Sequence, residues 1–129
     1  MSEGDRNASV GGWVTQLRKG LVELLVLAAL QEREAYGYEL LQRLSAGTGP
    51  AAGGPGMELT ESTLYPVLAR LAGEGLLAVR HAPSSSGPPR RYYRLTAAGG
   101  RRLRDMATHW RQVNETVELL VRGGNGGQR

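Results

Sequence analysis

From Trp13 onward, apolar residues fall at helical spacing: Val14, Leu17, Leu21, Leu24, Leu25 and Ala28 recur near i, i+3/i+4 and i+7. Past Leu21 the pattern turns apolar almost all round, as expected of a helix covered by several neighbours. Gln31-Glu-Arg-Glu34 is a polar break, after which Tyr36-Gly-Tyr-Glu-Leu-Leu-Gln-Arg-Leu44 reads as a short amphipathic helix with Leu40, Leu41 and Leu44 inward. Residues 47–56 are rich in Gly, Pro and Ala and read as a flexible insert. Thr60 predicts the N-cap of a third helix, its hydroxyl accepting from a first-turn amide, with Glu61 favoured at the positive helix end. Leu64, Val67, Leu68 and Leu71 form that helix's apolar stripe, and Gly75 suits a left-handed cap beyond it. Leu76–Arg80 and Arg91–Leu95 predict two short strands joined by a long polar turn over His81–Arg90. Thr96 caps a last helix running toward Val121, whose first turns Gly99-Gly100 weaken by about 1 kcal/mol per glycine.

The order helix, helix, helix, hairpin, long helix predicts a mostly α chain with a small β-hairpin (α+β). It is the order of a winged helix-turn-helix followed by a C-terminal dimerisation helix. The expected organisation is a flexible lead over 1–12, the winged unit over 13–95, the dimerisation helix over 96–121 and a disordered tail over 122–129.

Composition narrows the function. With 129 residues, 40% of them hydrophobic, one domain with a core of its own is expected, filled by Leu and Val because Phe and Ile are absent. No cysteine is present, which excludes disulfides and thiolate metal sites and fits a reducing cytoplasm. Met1–Gly12 is polar and small rather than basic then apolar, so no secretory leader is read there. The greasy stretch Leu21–Leu30 is interrupted by Glu23 and is too short to span a bilayer. The expectation is a soluble cytoplasmic protein. Net charge is +4, but unevenly spread: Gly75–Arg104 holds seven arginines and no acid, while residues 1–74 carry nine acids against six bases. An arginine-rich composition accounts for the choice of Arg over Lys. It does not account for the loss of acids from one segment, which is the footprint of a polyanion binder.

Two elements inside or beside that segment are suited to duplex DNA. The third helix carries Glu61, Ser62, Thr63, Tyr65, Pro66 and Arg70 away from its leucine stripe. A recognition helix needs an apolar anchor on one face and small or hydrogen-bonding groups on the other, and its N-terminal end favours phosphate. Pro66 removes one backbone hydrogen bond there. In the hairpin, Arg90-Arg-Tyr-Tyr-Arg94 interleaves guanidinium groups with aromatics. Alternation sends Arg91 and Tyr93 to one face and Tyr92 and Arg94 to the other, so one set packs while the other lies along the phosphates. A solvated charged hairpin, or a winged helix that docks another protein, is the competing reading.

On the last helix Leu103, Met106, Trp110, Val113, Val117 and Leu120 alternate spacings of three and four, a heptad seam of about 2.5 repeats. Such a narrow stripe on a peripheral helix favours pairing with a second copy, with Leu17 and Leu21 of the first helix beside it. No catalytic constellation is evident. His81 and His109 are the two histidines, without further ligands or a nucleophile at supporting spacing, and the Gly47–Gly56 run lacks the lysine of a phosphate loop. Neither enzyme chemistry nor a cofactor or metal is expected.

Leu17-Arg-Lys-Gly20, Tyr36-Gly-Tyr-Glu-Leu40, Ser62-Thr-Leu-Tyr-Pro66 with Arg70-Leu71, Gly75-Leu-Leu77 and Arg91-Tyr-Tyr-Arg-Leu-Thr96 followed by Ala98-Gly99 resemble the PadR family of bacterial regulators, short-C-terminus subgroup. The resemblance runs from about Trp13 to Val121. It implies a homodimeric, ligand-responsive repressor of transcription acting on a palindromic operator. It implies DNA contacts from Tyr36 at the start of the second helix, from Ser62, Thr63, Tyr65 and Arg70, and from Arg90 and Arg91 beside Tyr92. It also implies that Trp110, with Met106 and Val113, stacks on a small aromatic effector, although a tryptophan in such a stripe is more often interface core. MarR-like and ArsR-like regulators are the alternative within the class, disfavoured by the tyrosine motifs and the single C-terminal helix. The insert at 47–56 and Gly100 depart from the family pattern.

Overall fold

The computed structural model describes residues 3–46 and 58–126. In chain order it contains α1 (Glu3–Ala29), β1 (Ala35–Tyr36), α2 (Gly37–Ala46), α3 (Glu61–Gly73), β2 (Leu77–Ser84), β3 (Gly87–Leu95) and α4 (Ala97–Gly126). Four helices and an antiparallel sheet of order β1-β3-β2 make up the winged helix-turn-helix anticipated from the sequence, with α4 as its extra helix. No helix among the described residues is long and apolar enough to cross a membrane.

One core holds these elements together. Val22, Val26 and Leu27 of α1, with Leu30 just beyond it, meet Leu40 and Leu44 of α2 and Leu64, Leu68 and Leu71 of α3, closed by Leu76, Leu77, Tyr93 and Leu103. The leucine stripe of α3 is buried as its spacing predicts, with Val67 at the margin. Leu41 is likewise marginal rather than buried.

α3 ends in a two-bond cap. The Leu76 amide donates to the Leu71 carbonyl at 2.9 Å and the Gly75 amide to that of Ala72 at 3.1 Å, with Gly75 at φ +79°, the left-handed region glycine tolerates. At its start the expectation fails. Thr60 occupies the N-cap, but its hydroxyl accepts from no helix amide and instead bonds Ser62 Oγ at 2.9 Å and Thr63 Oγ1 at 3.3 Å. Thr96 does cap α4: it accepts from the Gly99 amide at 3.0 Å and donates to the Gly75 carbonyl at 2.7 Å, tying the ends of two helices together.

Three boundaries move. α1 begins at Glu3, so the lead expected over 1–12 is helical from there: no proline interrupts it, and extending a formed helix is far less costly than nucleating one. The strands reach the tip of the hairpin, so most of the turn expected over His81–Arg90 is strand. Three prolines sit in a bulge: Ala82 pairs with Arg90 and Ser84 with Gly87, leaving Pro83 opposite Pro88 and Pro89, where no ladder donor is needed. α4 continues past Val121 to Gly126, although residues 122–129 were expected to be tail. The expected insert at 47–56 lies outside the described residues.

Candidate nucleic-acid interface

The N-terminal turn of α3 presents Glu61 and Ser62 to solvent, with Thr63 half-buried behind them. The hydrogen bonds among Thr60, Ser62 and Thr63 hold three hydroxyls in a cluster at the positive end of the helix. One turn on, Tyr65 and Pro66 are exposed. The Tyr65 ring lies against the start of α2, where a Cβ on Gly37 would come 3.0 Å from its Cε1. Glycine between Tyr36 and Tyr38 therefore admits this ring. Burial, and then the nearby Glu61 carboxylate, push the Tyr65 phenol above its ordinary range, so it remains a neutral donor.

Beside α3 the sheet sorts its side chains as strand alternation requires. Tyr93 is buried against the helices, while the register Arg80↔Tyr92 and Tyr36↔Tyr92 sets those three residues in a row across the opposite face. The Arg80 guanidinium lies 4.6 Å from the Tyr92 ring centroid, Tyr92 meets Tyr36 edge-on at 5.4 Å, and the Arg90 guanidinium lies 4.4 Å over Tyr36. Arg80 is also held by Glu34, donating from Nε at 3.2 Å and from Nη2 to the other carboxylate oxygen. That hydrogen-bonded pairing keeps the Glu34 carboxyl below its ordinary pKa. Between the hairpin and α3, Tyr36, Tyr38, Tyr65, Arg90 and Arg91 border a groove of about 300 Å³.

The arginines divide into two classes. Among the described residues, Arg90, Arg91 and Arg94 form no ion pair with a carboxylate. Arg70, expected to face DNA, is instead tied to Glu23 of α1 at 3.0 Å and to Glu74 at 3.5 Å. Glu23, only 16% exposed, gives its second oxygen to Arg102 of α4 at 2.9 Å, so one carboxylate joins three helices. No sequence signal marked Glu23, Glu34 or Arg80. Their partners lie far along the chain, and only the fold brings them together.

A second, larger concavity of about 630 Å³ runs between α1 and α4. Leu17, Leu21, Met106, Trp110 and Val113 line it as the apolar stripes suggest, joined by Trp13, Leu24 and His109. Trp13 is 65% and Trp110 40% exposed, and Val113, Val117 and Leu120 beyond them are open as well. Leu103 departs from the expected seam. It is 8% exposed within its own core, so the open stripe of α4 starts at Met106.

Comparison with known proteins agrees on one family. Residues 26–105 match the model of the transcriptional regulator PadR-like family. The chain is similar to the crystal structure of a PadR family transcriptional regulator from Eggerthella lenta, with 36% identity, 91% of this chain and 96% of that one covered, and a TM-score of 0.75. It is also similar to a PadR-like transcriptional regulator from Bacillus cereus, with 33% identity, coverage of 84% and 98%, and a TM-score of 0.68. An uncharacterised protein of Lysinibacillus sphaericus is 30% identical over 105 residues, which span 81% of this chain and 92% of the relative.

Proposed function

The chain belongs to the PadR-like family of transcriptional regulators and is a DNA-binding regulator rather than an enzyme; from that premise we propose that it is a cytoplasmic, ligand-responsive repressor that grips a palindromic operator as a homodimer. The observation that carries the DNA-contact part is the separation of the arginines. Arg90 and Arg91, which pair with no carboxylate among the described residues, border the same groove as Tyr65 of α3. Phosphates neutralised by such groups release counterions, which supplies affinity, while α3 lies in the major groove with Ser62 and Thr63 leading. Glu61, Tyr65 and Pro66 flank them, and Tyr36 and Tyr92 support the wing from behind. Arg70 is the weaker member of this contact set, since reaching DNA means exchanging its exposed pairs with Glu23 and Glu74.

Pairing of two copies is supported by the apolar face that α1 and α4 leave open: Leu17, Leu21, Met106, Trp110, Val113, Val117 and Leu120. Two recognition helices one helical turn apart, roughly 34 Å, then meet two half-sites. The α1–α4 concavity beside Trp110, Met106 and Val113 supports an effector of flat aromatic chemistry at that seam. The test is a binding titration against a duplex selected from a random pool. Arg90→Ala with Arg91→Ala weakens binding to all duplexes and lowers the salt slope by about 2 per protomer. Unchanged affinity would refute the wing assignment.

A further inference from the structure

Two arginines of the sheet's outer face, Arg80 and Arg90, lie on the same row of rings and yet end differently. Arg80 stacks on Tyr92 and delivers its charge to Glu34. Arg90 stacks on Tyr36, pairs with no carboxylate among the described residues, and borders the groove beside α3. Between them the rings of Tyr92 and Tyr36 meet edge to face, so Glu34, Arg80, Tyr92, Tyr36 and Arg90 form one continuous chain of contacts across three strands. Each ring has a face covered by a guanidinium, which makes this face a poor platform for stacked bases.

We propose that Glu34 and Arg80 are positioning residues that act through the Tyr92–Tyr36 pair to hold the Arg90 guanidinium ready for phosphate. This rests on the DNA-binding role given to the wing above. A long arginine side chain gives up rotamer freedom when it is fixed at an interface, and one already laid on a ring gives up less. Glu34 also stands just before β1, so its grip on Arg80 fastens the body of the domain to β2, the outer strand of the hairpin.

The proposal reverses the sign that charge alone would give. Removing an acid close to a polyanion's path ordinarily tightens binding, whereas here Glu34→Gln weakens it by roughly three- to tenfold, the loss expected for one ordered long side chain. The salt slope stays at the wild-type value because no phosphate contact is removed. Arg80→Met has the same effect, again with an unchanged slope.

The decisive experiment adds Glu34→Gln to the wild type and to Arg90→Ala, and measures affinity for the selected duplex by fluorescence anisotropy over a salt series. Glu34 acts through Arg90, so the second substitution costs nothing further once Arg90 is gone. Tighter or unchanged binding by Glu34→Gln overturns the inference. So does an equal loss in both backgrounds, which would mean a general structural role, or a slope lowered by about 0.9 per protomer in Arg80→Met, which would make Arg80 itself a phosphate ligand. If Arg90→Ala binds like wild type, the wing reading fails and takes this inference with it. If Arg90→Ala weakens binding while Glu34→Gln is silent, only the inference fails.

Discussion

Gly99 and Gly100 are adjacent glycines in the first turn of α4, and the structure predicts opposite consequences for replacing each with alanine. A Cβ on Gly99 would lie well inside van der Waals contact of the Leu76 carbonyl oxygen and 2.7 Å from Leu95 Cδ1. One of these is backbone at the end of the α3 cap, and it also accepts the Thr96 amide at 3.2 Å. Relief requires α4 to move away by about 1 Å, which strains the Thr96 cap on Gly99 and the Thr96 bond to Gly75. Overpacking costs about 1–3 kcal/mol and a lost cap about 1 kcal/mol, against about 1 kcal/mol gained in helix propensity. The net expectation for Gly99→Ala is a loss of about 1–3 kcal/mol. At Gly100 the new methyl would meet only Arg104 Nη1 at 3.7 Å and Leu95 Cδ2 at 4.0 Å, ordinary contacts. Gly100→Ala therefore gains up to about 1 kcal/mol. Urea unfolding followed by circular dichroism reads both as shifts in midpoint. A Gly99→Ala protein as stable as wild type, or a Gly100→Ala protein less stable, would refute the close-approach reasoning.

The remaining predictions concern substitutions in α1 and α4. Glu23→Gln removes the carboxylate shared by Arg70 and Arg102, whose side chains stay 46% and 44% exposed and are not stranded. The loss is therefore about 1 kcal/mol in thermal or urea unfolding, shrinking in 1 M salt as the pairs are screened; a loss insensitive to salt would contradict an ionic clasp. Trp110→Asp with Val117→Asp places charge on the open face of α4 and yields monomers by sedimentation velocity at micromolar protein. Persistence of a dimer would remove α4 from the pairing surface.

How far the sequence carries the fold depends on whether the signal is local. The stripe Leu64, Leu68, Leu71 and the cap at Gly75 are local facts of period and backbone, and both stand in the structure. β1 left no such trace, because Ala35 and Tyr36 become strand only by pairing with Tyr93 and Tyr92 from the far side of the domain. The hairpin reads too short because the polar stretch Ser84–Pro89 signals a turn, whereas the strands run on through most of it and a bulge carries Pro83, Pro88 and Pro89. Gly99 read as a weak point in a helix, and the close approach it permits is a tertiary fact.

The site divides in the same way. The arginine-tyrosine motif located the wing, but which arginines remain unpaired depends on Glu23 and Glu34, acids that composition counts as background. Leu103 shows the limit of a heptad reading, since the same spacing continues from a buried first turn into an open stripe.

The central claim is that unpaired wing arginines from two copies bind the phosphates of one duplex. Its most direct test is the wild-type protein's own salt dependence on a selected palindromic duplex. With Arg90 and Arg91 contributed twice, log K falls linearly with log salt at a slope of about −3.6 or steeper. A flat line across that range, with binding intact, would contradict it.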